Sequence, residues 1–201
     1  MGRRKKYALN KIMYRDIKAF KSLGVCGHVR PQQLLSIVAK NRIASYEKDG
    51  LIEKVVYEHP NQKKPIEGYR LTSRGYRFIK EHIGVDYPYH NTSLKHDLKV
   101  ADKYFSLTEK ERETVVTEKE ARVIVKNKIE DLRKNNSQDY DFQNELFKNS
   151  SSVDFIYSTT DKETGEVIEV GFEAITRNYT DSELLQKSNF ATLYNCRLEW
   201  A

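Results

Sequence analysis

Apolar residues recur along the first part of the chain with the period of a helix. Leu9, Ile12, Met13, Ile17 and Phe20 fall on one stripe, with Lys11, Arg15, Lys18 and Lys21 between them, which predicts a basic amphipathic helix. Gly24 and Gly27 break the pattern around Val25 and Cys26. A shorter helix is expected from Pro31, a residue suited to a first helical turn, with Leu34, Leu35 and Val38 facing inward. Ala39 to Gly50 predicts a third helix that Gly50 ends as a left-handed cap. Ile43 and Tyr46 or Glu47 turn to its core side, leaving Lys40, Asn41, Arg42, Ser45, Lys48 and Asp49 outward or on the flanks. After Leu51-Ile52 the pattern becomes two strands, Glu53 to Tyr57 and Tyr69 to Thr72, joined by a basic, turn-rich loop from His59 to Gly68. Thr72 or Ser73 then opens a helix through Tyr76, Phe78, Ile79 and Ile83.

Residues 84 to 92 follow neither period and read as a linker. Beyond them, Leu94, Leu98, Ala101 and Phe105 predict a helix from Ser93 to Leu107, and its apolar stripe is the candidate dimer surface. Thr117 with Glu120 has the form of a capping box, opening a helix that carries Ala121, Ile124, Val125 and Ile129. Asn135 to Ser152, rich in Asn, Ser, Gln and Asp, reads as a loop. Two strands are expected around Val153 to Tyr157 and Val167 to Thr176, then a helix from Asp181 to Tyr194 capped by Thr180 or Asp181. The pattern is that of an α+β protein with an N-terminal domain over residues 1–84, a linker over 85–92 and a small α/β domain over 93–201, the last serving dimerisation or partner contact.

Composition narrows this picture. A chain of 201 residues that is 38% hydrophobic and 32% charged suits two small cores better than one dense enzyme core. It contains no apolar run of the roughly 18 residues that a membrane span needs, and Met1-Gly-Arg-Arg-Lys-Lys-Tyr lacks the apolar stretch of a secretory signal, so a cytoplasmic location away from membranes is expected. Cys26 and Cys196 have no second Cys or His at zinc-site spacing and read as inert thiols. The net charge of +6 is unevenly spread: residues 1 to 100 carry 21 Lys and Arg against 9 Asp and Glu, whereas the remainder carry 14 against 20. The basic half points to a polyanionic partner.

Leu51-Ile-Glu-Lys followed by Tyr69-Arg-Leu-Thr-Ser-Arg-Gly-Tyr resembles the winged-helix family at the junction of recognition helix, wing and following helix. The resemblance implies that the third helix enters the major groove, where Arg suits guanine edges and Asn adenine edges. The residues placed to do so are Lys40, Asn41, Arg42, Ser45 and Lys48. Lys63 and Lys64 would sit at the wing tip, facing the backbone or minor groove, and Arg3, Arg4, Lys5 and Lys6 would form an arm adding phosphate contacts.

In the second half, Asp154 on one strand, Glu173 on the next and Glu118 or Glu120 on a preceding helix look like the carboxylate layout of restriction-endonuclease-like folds, where an Asp and the Glu of a Glu-x-Lys triplet hold Mg²⁺. The triplet here is Glu173-Ala174-Ile175, and isoleucine cannot polarise an attacking water; Arg177 is the nearest cation along the strand. The second domain therefore resembles a degenerate member of that fold. Taken whole, the chain resembles the replication-relaxation family of plasmid and phage proteins, through Tyr69-Arg-Leu-Thr-Ser-Arg-Gly-Tyr, His96-Asp-Leu-Lys-Val, Val153-Asp-Phe-Ile-Tyr and Phe172-Glu-Ala-Ile-Thr-Arg-Asn-Tyr. That resemblance implies a role in replication or mobilisation. The expectation is a sequence-selective double-stranded DNA-binding homodimer acting at an origin or operator, with a replication or transcription protein as a further partner and with no catalytic residue, metal or cofactor. The alternatives are a metal-dependent nuclease using Asp154 and Glu173, and an adaptor that contacts protein.

Overall fold

The computed structural model describes residue 9 and residues 11–58, 65–89, 93–175 and 179–201. The chain is α+β and divides into two units, Met1–Phe105 and Ser106–Ala201.

The first unit runs α1 (Tyr14–Cys26), β1 (His28–Val29), α2 (Pro31–Ile37), α3 (Lys40–Lys48), β2 (Ile52–Tyr57), β3 (Ile66–Leu71), α4 (Ser73–His82) and α5 (Leu94–Ser106). Its antiparallel sheet has the order β1-β3-β2, with Ile52 opposite Leu71 and Tyr57 opposite Ile66. Phe20 of α1 lies against Tyr46 of α3 at 4.7 Å and Phe78 of α4 at 5.0 Å between ring centroids, so one aromatic cluster ties three helices together. Leu23, Leu34, Leu51 and Ile79 are fully buried around it.

Two local expectations change. Helix α1 begins only at Tyr14, leaves Met13 exposed and continues through Gly24 to Cys26. Gly24 does not break the helix because its bare face lets Ile79 approach, as an added Cβ would stand 3.2 Å from the Ile79 Cδ1 atom. Leu34 of α2 and Val38 just past its end are buried, but Leu35 is 46% exposed. The two-residue strand β1 was not legible in the sequence pattern.

The Leu71-Thr72-Ser73-Arg74-Gly75 stretch acts as a joint. Thr72 caps α4 by accepting the Gly75 N–H at 3.0 Å, and its hydroxyl donates to the Gly50 carbonyl at 2.6 Å. A Cβ on Gly75 would lie 2.0 Å from the Leu51 carbonyl oxygen, so only glycine lets α4 start this close to the chain leaving α3. Gly50 itself, at φ +64°, makes the left-handed end of α3.

The boundary expected near residues 85–92 is corrected by α5, which belongs to the first unit. Leu98 is 2% exposed and Gly68 of β3 offers Leu94 and Leu98 a place to pack, since an added Cβ there would meet them at 3.0 and 3.7 Å. Asp97, fully buried in α5, meets the His28 Nδ1 atom at 2.7 Å, and Asp102 takes both Nε and a terminal nitrogen of Arg30 at 3.0 and 2.9 Å. The stripe assigned to dimerisation is thus core, because the exposed side of β3 needs a cover.

The second unit runs α6 (Glu109–Glu113), β4 (Val116–Thr117), α7 (Glu118–Lys134), α8 (Tyr140–Lys148), β5 (Phe155–Thr160), β6 (Val167–Glu173), α9 (Asp181–Tyr194) and β7 (Arg197–Trp200). The sheet order is β4-β5-β6-β7. Only β6 and β7 are parallel, and α9 supplies the crossover that a parallel pair needs. Thr117 with Glu120 and Thr180 with Glu183 form the capping boxes of α7 and α9. The core joins Ala121, Val125 and Ile129 of α7 to Val153, Ile156 and Phe190. Helix α8 lies where a loop was expected; its Tyr140 and Phe147 pack on that core despite the polar composition around them. Among the described residues no helix is long and apolar enough to cross a membrane.

Candidate functional site

Helix α3 buries Ile43 and Tyr46 and holds Lys40, Asn41, Glu47 and Lys48 exposed. Lys11, just before α1, and Arg15 of α1 are exposed as well. Asp49, expected outward, is buried and accepts the Leu9 N–H at 2.9 Å, which roots the chain's start against the end of α3. Ser45 donates its hydroxyl to the Asn41 carbonyl one turn back at 3.0 Å. Arg3, Arg4, Lys5 and Lys6, like Lys63 and Lys64, lie outside the described residues.

Arg42 departs furthest from expectation. Its Nε donates to one oxygen of Asp16 at 2.7 Å while a terminal nitrogen donates to the other oxygen and to the Lys11 carbonyl. Asp16, 1% exposed, also accepts the Met13 N–H at 2.6 Å and the Tyr46 hydroxyl. Burial alone would raise the Asp16 pKa, but the bonds from Arg42, Tyr46 and Met13, with the Arg42 charge, hold it below the usual carboxylate value. Burial and the Asp16 charge push the Tyr46 hydroxyl up, keeping it a neutral donor. Held this way, Arg42 lacks the free donor fork that its expected role at a base edge needs. A guanine edge asks for two parallel donors, and both pairs that Arg offers include the nitrogen engaged by Asp16 and Lys11.

In the second unit the structure brings three of the expected carboxylates toward one another and adds a cation. The Glu173 side chain, 1% exposed, accepts the Asp154 N–H at 3.0 Å, and Asp154 in return accepts the Ala174 N–H at 2.8 Å. Lys187 of α9 stands 2.8 Å from the remaining Glu173 oxygen, which the Tyr179 hydroxyl also reaches, and donates to the Ser152 carbonyl. Burial, then the Asp154 charge, raises the Glu173 pKa against the pull of Lys187; burial likewise raises Glu118, with Lys187 opposing and Asp154 adding. Glu120, by contrast, is spent capping α7. Lys187 supplies a cation that Ile175 cannot, from a helix fourteen positions after Glu173, beyond the reach of triplet spacing. Arg177 lies outside the described residues. Among the described residues no group of three or more His, Cys, Asp or Glu is placed to hold a metal ion, and both Glu173 oxygens already bond within the protein, so the donors as arranged do not fit a metal.

Compared with protein-family models, curated proteins and solved structures, the chain finds no match.

Proposed function

We propose that the protein binds double-stranded DNA as a winged helix, with α3 in the major groove and the β2–β3 hairpin as the wing. The observation that carries the proposal is the order α1-β1-α2-α3-β2-β3-α4 around a β1-β3-β2 sheet, with α3 exposing Lys40, Asn41 and Lys48 in the basic half of the chain. Asn41 reads a base and the two lysines meet phosphate. A dimer on paired half-sites is part of the proposal, formed by a surface other than the α5 stripe.

Fluorescence anisotropy across a salt series, together with selection from a randomised duplex pool, tests this. Lys40→Ala with Lys48→Ala should weaken binding to every sequence and flatten the slope of log affinity on log salt by about one to two units. Asn41→Ala should cost about 1–3 kcal/mol at one position of the selected motif. A wild-type protein that binds no duplex at low salt would leave the adaptor in its place.

Lys187 favours a second reading, a nuclease in the second unit, because it puts an amine beside Glu173. Duplex incubated with Mg²⁺ or Mn²⁺ decides it. Intact DNA is the expected result, and cleavage lost in Glu173→Gln and in the Glu173→Gln, Lys187→Met double variant, each shown folded by circular dichroism, would establish the enzyme.

A further inference from the structure

From the bonds around Asp16 we infer that Arg42 is a buttressed phosphate clamp and that Asp16 is the positioning residue that aims it; this rests on the DNA-binding reading above. Asp16 is saturated by Arg42, the Met13 N–H and the Tyr46 hydroxyl, so it fixes the guanidinium in one orientation. Among the described residues Nη1 has no hydrogen-bond partner, and the Arg42 side chain is 25% exposed. A phosphate oxygen accepts single charge-assisted bonds from such a nitrogen, whereas a base edge needs the parallel fork that Asp16 holds. The surroundings suit an anion: Lys11, whose carbonyl Arg42 also grips, Arg15 beside Asp16, and Lys40 on the same helix are exposed cations. Holding the side chain in advance removes the ordering cost that a free arginine would meet on binding.

The test uses the full chain, mixed-sequence duplex and a randomised pool. Arg42→Gln should lower affinity for mixed-sequence duplex by about tenfold at low salt and flatten the salt slope by about half to one unit, with the selected motif unchanged. Arg42→Lys should lose affinity and flatten the slope as Arg42→Gln does, since one amine cannot both hold Asp16 and meet a phosphate. Asp16→Asn, checked for folding by circular dichroism, should weaken binding, and its effect should vanish on the Arg42→Gln background. Because Arg42→Gln strands the buried Asp16, the Arg42 variants are checked for folding in the same way, and if Arg42→Gln or Asp16→Asn does not fold, Arg42→Lys, which keeps a cation on Asp16, decides alone. Arg42→Gln leaving affinity and slope unchanged, or erasing one position of the motif, overturns the clamp while the DNA reading stands. A wild-type protein that binds no duplex at low salt removes both.

Discussion

A buried carboxylate is tolerated only where its oxygens are filled, and what fills them decides its charge. Asp16 and Glu173 are both 1% exposed, but Asp16 gathers an arginine, a phenol and a backbone amide, while Glu173 has the neighbouring Asp154 charge working against its lysine. The Glu173–Lys187 pair is accordingly a dependency. Lys187→Met strands the acid and should destabilise the second unit by about 3–5 kcal/mol in urea unfolding; adding Glu173→Gln should return much of that loss, because the unpaired charge is gone. Equal stability of Lys187→Met and wild type would show that the pair carries no weight.

At the scale of elements, the sharpest constraint is the start of α4 on the Leu51 carbonyl. Gly75→Ala forces that contact apart and should cost the first unit about 3 kcal/mol, the upper range for overpacking, read as a lowered thermal midpoint. This joint also marks what the sequence made legible. Gly50, Thr72, Thr117 with Glu120 and Thr180 with Glu183 act on neighbours within a few positions, so their chemistry shows in the order of residues. Strand β7 and the two-residue β1 draw their bonds from partners far along the chain and left no periodic trace. Helix α8 was hidden because its order comes from Tyr140 and Phe147 packing on a distant core. The same reason concealed the site's two best pairings: Asp16 and Arg42 are 26 positions apart, and Lys187 reaches Glu173 from another element.

Across the whole molecule the buried, shifted carboxylates of the two units should answer acid in opposite senses; Asp161 and Glu183 of the second unit are lowered too, but lie at the surface, where such pairings weigh little. Asp16 and Asp97 have lowered pKa values, Asp97 because bonds from His28 and His96 and their charge overcome its burial. Their contribution to stability is full above pH about 4 and is lost as pH falls through the lowered folded values. Glu118 and Glu173 are raised, so their contribution is greatest below pH about 4.5 and declines as pH rises through the raised values. Trp200, the single tryptophan, pairs with Glu173 across β6 and β7 and reports on the second unit alone. Near pH 3 its fluorescence should persist to higher urea than the helical circular dichroism signal; coincident transitions at every pH would refute the opposition.

Helix α5 ends at Ser106 and α6 begins at Glu109, leaving Leu107 and Thr108 as the chain between them. A gene exchange that joined this protein to another would find its clean seam there and not in the stretch with the look of a linker. A cut at residue 84 would carry off α3 without Asp97 for His28, Asp102 for Arg30 or the leucines over Gly68. What descends as a module is therefore longer than the part that would touch DNA, because the cover on its sheet has to travel with it.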